Sequence, residues 1–157
     1  MTAKTLEVGS TAPAFAFATD GGGKVALKDL KGKPVVLYFY PKDDTSGCTK
    51  EAIGFTALAK DFAKAGATVI GVSKDSVESH DKFKKKHKLG VTLGADPEGK
   101  ACEDYGVWVE KSMYGRKYMG IERATFLIDA KGKIAEVWRK VKVPDHAKTV
   151  LAAVKAL

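Results

Sequence analysis

Val35-Val36-Leu37-Tyr38-Phe39-Tyr40-Pro41 decides the fold. An unbroken apolar run rich in β-branched and aromatic residues has the length of a strand buried on both faces. Such strands sit inside sheets that carry helices on each side. Pro41 stops the run, and the polar loop Lys42-Asp43-Asp44-Thr45-Ser46-Gly47 leads into a helix. Phe55, Leu58, Ala59 and Phe62 recur at helical spacing on one face, and Gly66 supplies the stop. Ala67 to Val72 reads as a second buried strand. A β-α-β unit therefore opens at Val35, with a right-handed crossover expected.

On the N-terminal side, Ala14-Phe15-Ala16-Phe17-Ala18 alternates large and small side chains. Asp20-Gly21-Gly22-Gly23 then turns the chain into Lys24-Val25-Ala26-Leu27, a hairpin signal. Asp29 to Lys33 reads as a short turn or helical piece. On the C-terminal side, Ser76 to His87 reads as a helix capped by Ser76, and Pro97 to Tyr105 as a short helix. Arg123 to Ile128 is a strand, Asp129-Ala130-Lys131-Gly132 a turn, and Ile134 to Trp138 its hairpin partner. A closing helix over His146 to Leu157 places Ala147, Val150, Leu151 and Val154 on one face. The order predicts an α/β fold of thioredoxin-like type: a mixed central sheet flanked by helices, with an N-terminal β-hairpin extension. The 157 residues suit one domain, 1–157, with a core large enough to need neither disulfide nor metal.

Composition narrows the function classes. No apolar run approaches the roughly 20 residues of a membrane span. Met1-Thr2-Ala3-Lys4 lacks the apolar stretch of a secretory leader, so a cytoplasmic location is the expectation. The net charge of +8 is local, because Lys82 to Lys88 carries +5 and the rest of the chain only +3. A lysine run on a helix is ordinarily a solvated face. Aromatics are not interleaved with it, and no nucleic-acid motif is present, so nucleic acid is not an expected partner.

The two cysteines, Cys48 and Cys102, form neither a C-x-x-C nor a metal-type cluster, and no metal or other cofactor is expected. Cys48 falls in the first turn of the helix that follows the loop. Unpaired N–H groups and the helix dipole there favour negative charge and can hold an anionic or oxygen-rich ligand. A thiol becomes a nucleophile only as the thiolate, so this is a position for chemistry. It is equally a position for a small buried hydrophobe, the common fate of a free cysteine. Thr45, three residues earlier, can share a face with Cys48 or serve simply as an N-cap.

The run Tyr38-Phe39-Tyr40-Pro41-Lys42-Asp43-Asp44-Thr45-Ser46-Gly47-Cys48-Thr49-Lys50-Glu51 resembles the peroxidatic site of peroxiredoxins, most closely the bacterioferritin comigratory protein subfamily, also called peroxiredoxin Q. The family's P-x-x-x-T-x-x-C is filled by Pro41, Thr45 and Cys48. Its later arginine is matched by Arg123 in Gly120-Ile121-Glu122-Arg123-Ala124-Thr125-Phe126-Leu127-Ile128-Asp129. Further matches occur at Val72 to Ser76 and Trp138 to Val143, and the resemblance runs from about Gly9 to the C-terminus. It implies a thioredoxin-like fold and thiol-dependent reduction of hydrogen peroxide or organic hydroperoxides, with a monomer favoured. In those terms Cys48 is the nucleophile and becomes a sulfenic acid. Arg123 and the N–H groups near Gly47 and Cys48 stabilise the developing charge. Thr45 orients the peroxide, Pro41 shields the sulfur, and Glu51 holds the Arg123 guanidinium.

The pattern departs from the subfamily where turnover is completed. Ile53 and Lys84 stand at the two positions where members carry a resolving cysteine. Cys102, followed by Glu103 and Asp104, reads as a structural, half-buried thiol whose acidic neighbours oppose ionisation. The expectation is a one-cysteine cycle completed by a thioredoxin, a glutaredoxin or a small thiol. A two-cysteine cycle through Cys102 and a redox relay or sensor role are the alternatives. Ser46 replaces the family's usual proline, which removes some stiffening of the helix start.

Overall fold

The computed structural model describes residues 6–157, so the leader reading on Met1 to Lys4 lies outside the described residues. The chain runs β1 (Ala16–Thr19), β2 (Lys24–Ala26), β3 (Val35–Phe39), α1 (Ser46–Ala57), α2 (Ala59–Lys64), β4 (Thr68–Ser73) and α3 (Val77–His87). It continues through β5 (Thr92–Ala95), α4 (Lys100–Asp104), β6 (Trp108–Met113), β7 (Arg116–Ile121), β8 (Ala124–Ile128), β9 (Ile134–Trp138) and α5 (His146–Lys155).

Seven strands form one sheet in the order β2-β1-β5-β4-β3-β8-β9, while β6 and β7 make a separate hairpin. β3 lies inside the sheet next to the middle strand β4, parallel to β4 and antiparallel to β8. This is the mixed, helix-flanked sheet that the sequence predicts, and β1 and β2 are the N-terminal hairpin. Side chains of β3 alternate between two cores. Val35, Leu37 and Phe39 point to one, with Phe15, Cys102, Tyr105 and Phe126. Val36, Tyr38 and Tyr40 point to the other, with Cys48, Phe55, Phe62, Phe83 and Val150. Phe55 and Phe126 are fully buried, and each stabilises the fold by about 2 kcal/mol through burial.

Three features depart from expectation. The helix after Cys48 is broken at Leu58, whose N–H reaches back to the Phe55 carbonyl at 3.2 Å. Such tightening is usual where an α-helix ends. Strand β5 went unpredicted because Thr92-Leu93-Gly94-Ala95 is short and half of it is glycine or alanine, a weak strand signal. The β6–β7 hairpin was also hidden. Its turn uses Tyr114 and Gly115, both at positive φ (52° and 77°), and tyrosine is not the residue that usually announces such a turn.

Among the described residues no helix is long and apolar enough to cross a membrane.

Candidate active site

Cys48 occupies the first turn of α1, immediately beyond the loop that leaves the C-terminal end of β3. Its side chain lies in the helix-covered core and is 1% exposed. Among the described residues the N–H groups of Ser46, Gly47 and Cys48 find no acceptor, so the helix start presents free donors beside the sulfur. Thr45 is the N-cap residue by backbone, yet its side chain makes no capping bond. The Thr45 Oγ1 donates instead to the Lys42 carbonyl at 2.9 Å, which leaves its lone pairs open to an incoming O–H. Pro41 is half-buried at the end of β3.

Arg123 reaches this turn from the residue just before β8. Its backbone is pinned on both sides: Glu122 N–H donates to the Val107 carbonyl at 2.7 Å, and the Arg123 carbonyl accepts from Val141 N–H at 3.0 Å. Nη2 then donates to Cys48 Sγ at 3.3 Å, and Nη1 to Glu51 Oε1 at 2.6 Å. Gly47 permits this approach, because a Cβ there would stand 3.0 Å from Nη2. Gly47 and Glu51 share one face of α1, four residues apart, and the guanidinium lies against that face.

Electrostatics follow from burial. Burial pushes the Glu51 carboxyl up to about 7, although Arg123 pulls the other way, and its Oε2 has no partner. Burial also opposes the Arg123 charge, but Glu51 and Cys48 outweigh it and hold the guanidinium above its ordinary range. Deeper in the same core, burial and then Arg123 push His146 down to about 4, and its Nε2 pairs with Thr125 Oγ1 at 2.8 Å. The Tyr38 ring stacks on Phe55 with centroids 4.7 Å apart.

The sequence reading of Cys102 needs correction in two respects. The thiol is fully buried, not half-buried. The acid beside it is also a different one. Burial first, and then the Asp96 carboxylate, push the thiol well above its ordinary range, while Glu103 is exposed. Asp96 accepts from the N–H groups of Ala101 (3.3 Å) and Cys102 (3.0 Å), capping α4. Cys102 belongs to the core on the far face of the sheet from Cys48. Both cysteines are free.

At the two vacant resolver positions, Ile53 is exposed, and Lys84 Nζ pairs with Asp20 Oδ2 at 2.7 Å. The sequence reading missed the group that holds the loop. Asp43 is buried, with Oδ1 accepting from Tyr40 Oη at 2.5 Å and Oδ2 lying 2.7 Å from His80 Nδ1. An aspartate in a polar loop and a histidine in a lysine-rich helix carry no sequence sign of meeting.

The model of the AhpC/TSA family matches residues 8–137. Peroxiredoxin Bcp of Bacillus subtilis is 50% identical over 151 residues, which cover 96% of each chain. A cysteine mutant of Xylella fastidiosa PrxQ superposes with a TM-score of 0.92 at 40% identity, covering 98% of each chain. The bacterioferritin comigratory protein of Xanthomonas campestris, whose structures address alkyl peroxide reduction, superposes with a TM-score of 0.87 at 45% identity, covering 96% of each chain.

Proposed function

The chain belongs to the AhpC/TSA family and is a peroxiredoxin of the Bcp type; from that premise we propose that it reduces hydrogen peroxide and organic hydroperoxides at Cys48 in a one-cysteine cycle. The observation that carries the proposal is the Arg123 guanidinium, shared between Cys48 Sγ and Glu51 at the free end of α1. The Cys48 thiolate attacks one peroxide oxygen, the O–O bond breaks, and sulfur becomes a sulfenic acid. The other oxygen takes a proton and leaves as water or alcohol. Negative charge spreads along the S–O–O line during attack. Arg123 and the N–H groups of Gly47 and Cys48 are fixed donors aimed at that charge. Thr45 accepts the peroxide O–H and sets its direction, Pro41 shields the sulfur, and Glu51 anchors Arg123. No step needs a metal or cofactor.

The one-cysteine cycle is supported by the placement of Cys102. It lies across the sheet from Cys48, fully buried, with burial and a carboxylate opposing its ionisation. A disulfide needs Cα atoms within about 7 Å, so pairing the two would require the sheet or its helices to come apart. An external thiol, supplied by a thioredoxin, a glutaredoxin or a small molecule, then returns the sulfenic acid to thiol. The protein works in this scheme as a monomer in the cytoplasm.

The test is peroxide consumption with a thioredoxin system by wild type, Cys48→Ser and Cys102→Ser. Activity is expected to vanish in Cys48→Ser and persist in Cys102→Ser. The intact mass of oxidised wild type should rise by one oxygen. A loss of two hydrogens, together with failed turnover in Cys102→Ser, would establish the two-cysteine cycle instead.

A further inference from the structure

Helix α3 contributes no residue to the peroxiredoxin motif, yet it grips the loop that carries the motif at two successive aspartates. Asp44 has φ 60°, a left-handed conformation that a non-glycine residue holds only when its surroundings fix it. Lys86 and His87 hold its two carboxylate oxygens at 2.7 and 2.8 Å. That grip is on the surface. The grip on Asp43 is buried and more elaborate. Tyr40 Oη donates to Oδ1, Ser79 Oγ donates to Oδ2 at 2.8 Å, and His80 Nδ1 lies 2.7 Å from Oδ2. The Asp43 N–H in turn donates to Asp75 Oδ2 at 2.7 Å, and Asp75 also accepts from Ser73 Oγ.

His80 is the centre of this network. Its side chain is completely buried. Nε2 lies 3.0 Å from the Gly94 carbonyl on β5, which can only accept, so Nε2 carries a proton. On the other side of the ring a proton lies between Nδ1 and the Asp43 carboxylate. His80 therefore bridges the sheet and the loop by two hydrogen bonds, one from each ring nitrogen. At the exit of the loop into α1, Thr45 makes no side-chain cap, so the contacts upstream at Asp43 and Asp44 set its course.

We propose that His80 is a positioning residue of the peroxidatic centre: through Asp43 it fixes the loop that aims Thr45 and the free N–H groups of α1 at the peroxide. The proposal rests on the assignment of Cys48 as the nucleophile. It places part of the determinant of peroxide reactivity on α3, a helix that touches no reacting atom.

Two amide substitutions separate the two bonds of the ring. In His80→Asn the amide nitrogen takes the place of Nδ1, keeping the bond to Asp43 and losing the one to Gly94. In His80→Gln it reaches the place of Nε2, keeping Gly94 and losing Asp43. Oxidation of the Cys48 thiol by hydrogen peroxide is followed in a single turnover, with thermal midpoints measured beside it. Misplacing a reacting group by about 1 Å costs about a hundredfold in rate. His80→Gln is expected to slow oxidation by about that factor, and His80→Asn to keep most of the rate, while both lower the thermal midpoint. Equal losses in the two variants, a greater loss in His80→Asn, or wild-type rates in both overturn the proposal. If either variant fails to fold, Ser79→Ala carries the test by removing one donor to Asp43 from a half-buried position. Slowed oxidation is then expected, and an unchanged rate overturns the proposal. Cys48→Ser is assayed alongside. Peroxide reduction surviving in it would overturn the Cys48 assignment itself, whereas an inert Cys48→Ser with indifferent His80 variants sinks only the role of His80.

Discussion

Cys48 and Cys102 are equally hidden, at 1% and 0% exposure, but they lie on opposite faces of the sheet and in opposite electrical company. Cys48 meets a guanidinium and the free N–H groups of a helix start. Cys102 meets the carboxylate that caps its own short helix. Burial alone therefore says nothing about reactivity in this chain. On the proposed function, the sign of the nearest fixed charge separates the thiol that does chemistry from the thiol that packs.

That contrast can be broken most forcefully at Cys48 itself, where Cys48→Ser is expected to reduce peroxide consumption to the uncatalysed rate. Arg123→Met comes next. It removes the donor to sulfur, and losing one such fixed donor lowers rates by about a hundredfold to a thousandfold. Stopped-flow oxidation kinetics would read this directly, and a loss smaller than threefold would remove Arg123 from the site. Gly47→Ala sharpens the same point without touching a polar group. The added Cβ, 3.0 Å from Nη2, displaces the guanidinium by a few tenths of an ångström, and a loss of about threefold to tenfold is expected on the scale of reacting-group misplacement.

A pH profile tests the buried anchor. Burial holds the Glu51 carboxyl at about 7 against an ordinary 4.5. The folded state therefore gains stability from a protonated Glu51 that is fully present below 4.5 and is lost as pH rises through 7. Catalysis should run the other way, because the ionised carboxylate is the better anchor for Arg123. The rate ratio of wild type to Glu51→Gln is expected to rise severalfold between pH 6 and 8, spanning about one unit on either side of the raised value. A flat ratio would show that Glu51 does not titrate where its burial places it. The smallest effect belongs to Cys102→Ala. Peroxidase activity should be unchanged, and chemical denaturation should show a loss of about 1 kcal/mol for the small cavity left in the core.

Much of this was legible before any coordinates. The run Val35 to Tyr40 announced the interior strand β3 because burial on both faces leaves no polar position to confuse it. Cys48, Thr45 and Arg123 stood out through the resemblance, and the fold brings Cys48 and Arg123 into contact. The company of Cys102 was misjudged because the nearest acids in sequence, Glu103 and Asp104, are not the nearest in space; Asp96 folds back on the helix start. Asp43 and His80 were invisible for a related reason. They lie 37 residues apart, and neither residue type is unusual in its local segment. Strand periodicity could not find β5, because its pairing with β4 and β1 depends on neighbours rather than on its own side chains.

The pair between Lys84 and Asp20 carries an evolutionary consequence. It stands where the subfamily resemblance would put a resolving thiol, and it ties α3 to the turn of the N-terminal hairpin. Lys84 is a third exposed, and partly exposed ion pairs of this kind contribute no more than about 1 kcal/mol. Exchanging this strap for a thiol, or a thiol for this strap, therefore carries little thermodynamic cost. On the proposed cycle, the choice between self-sufficiency and dependence on a partner hangs on a residue that the fold barely constrains.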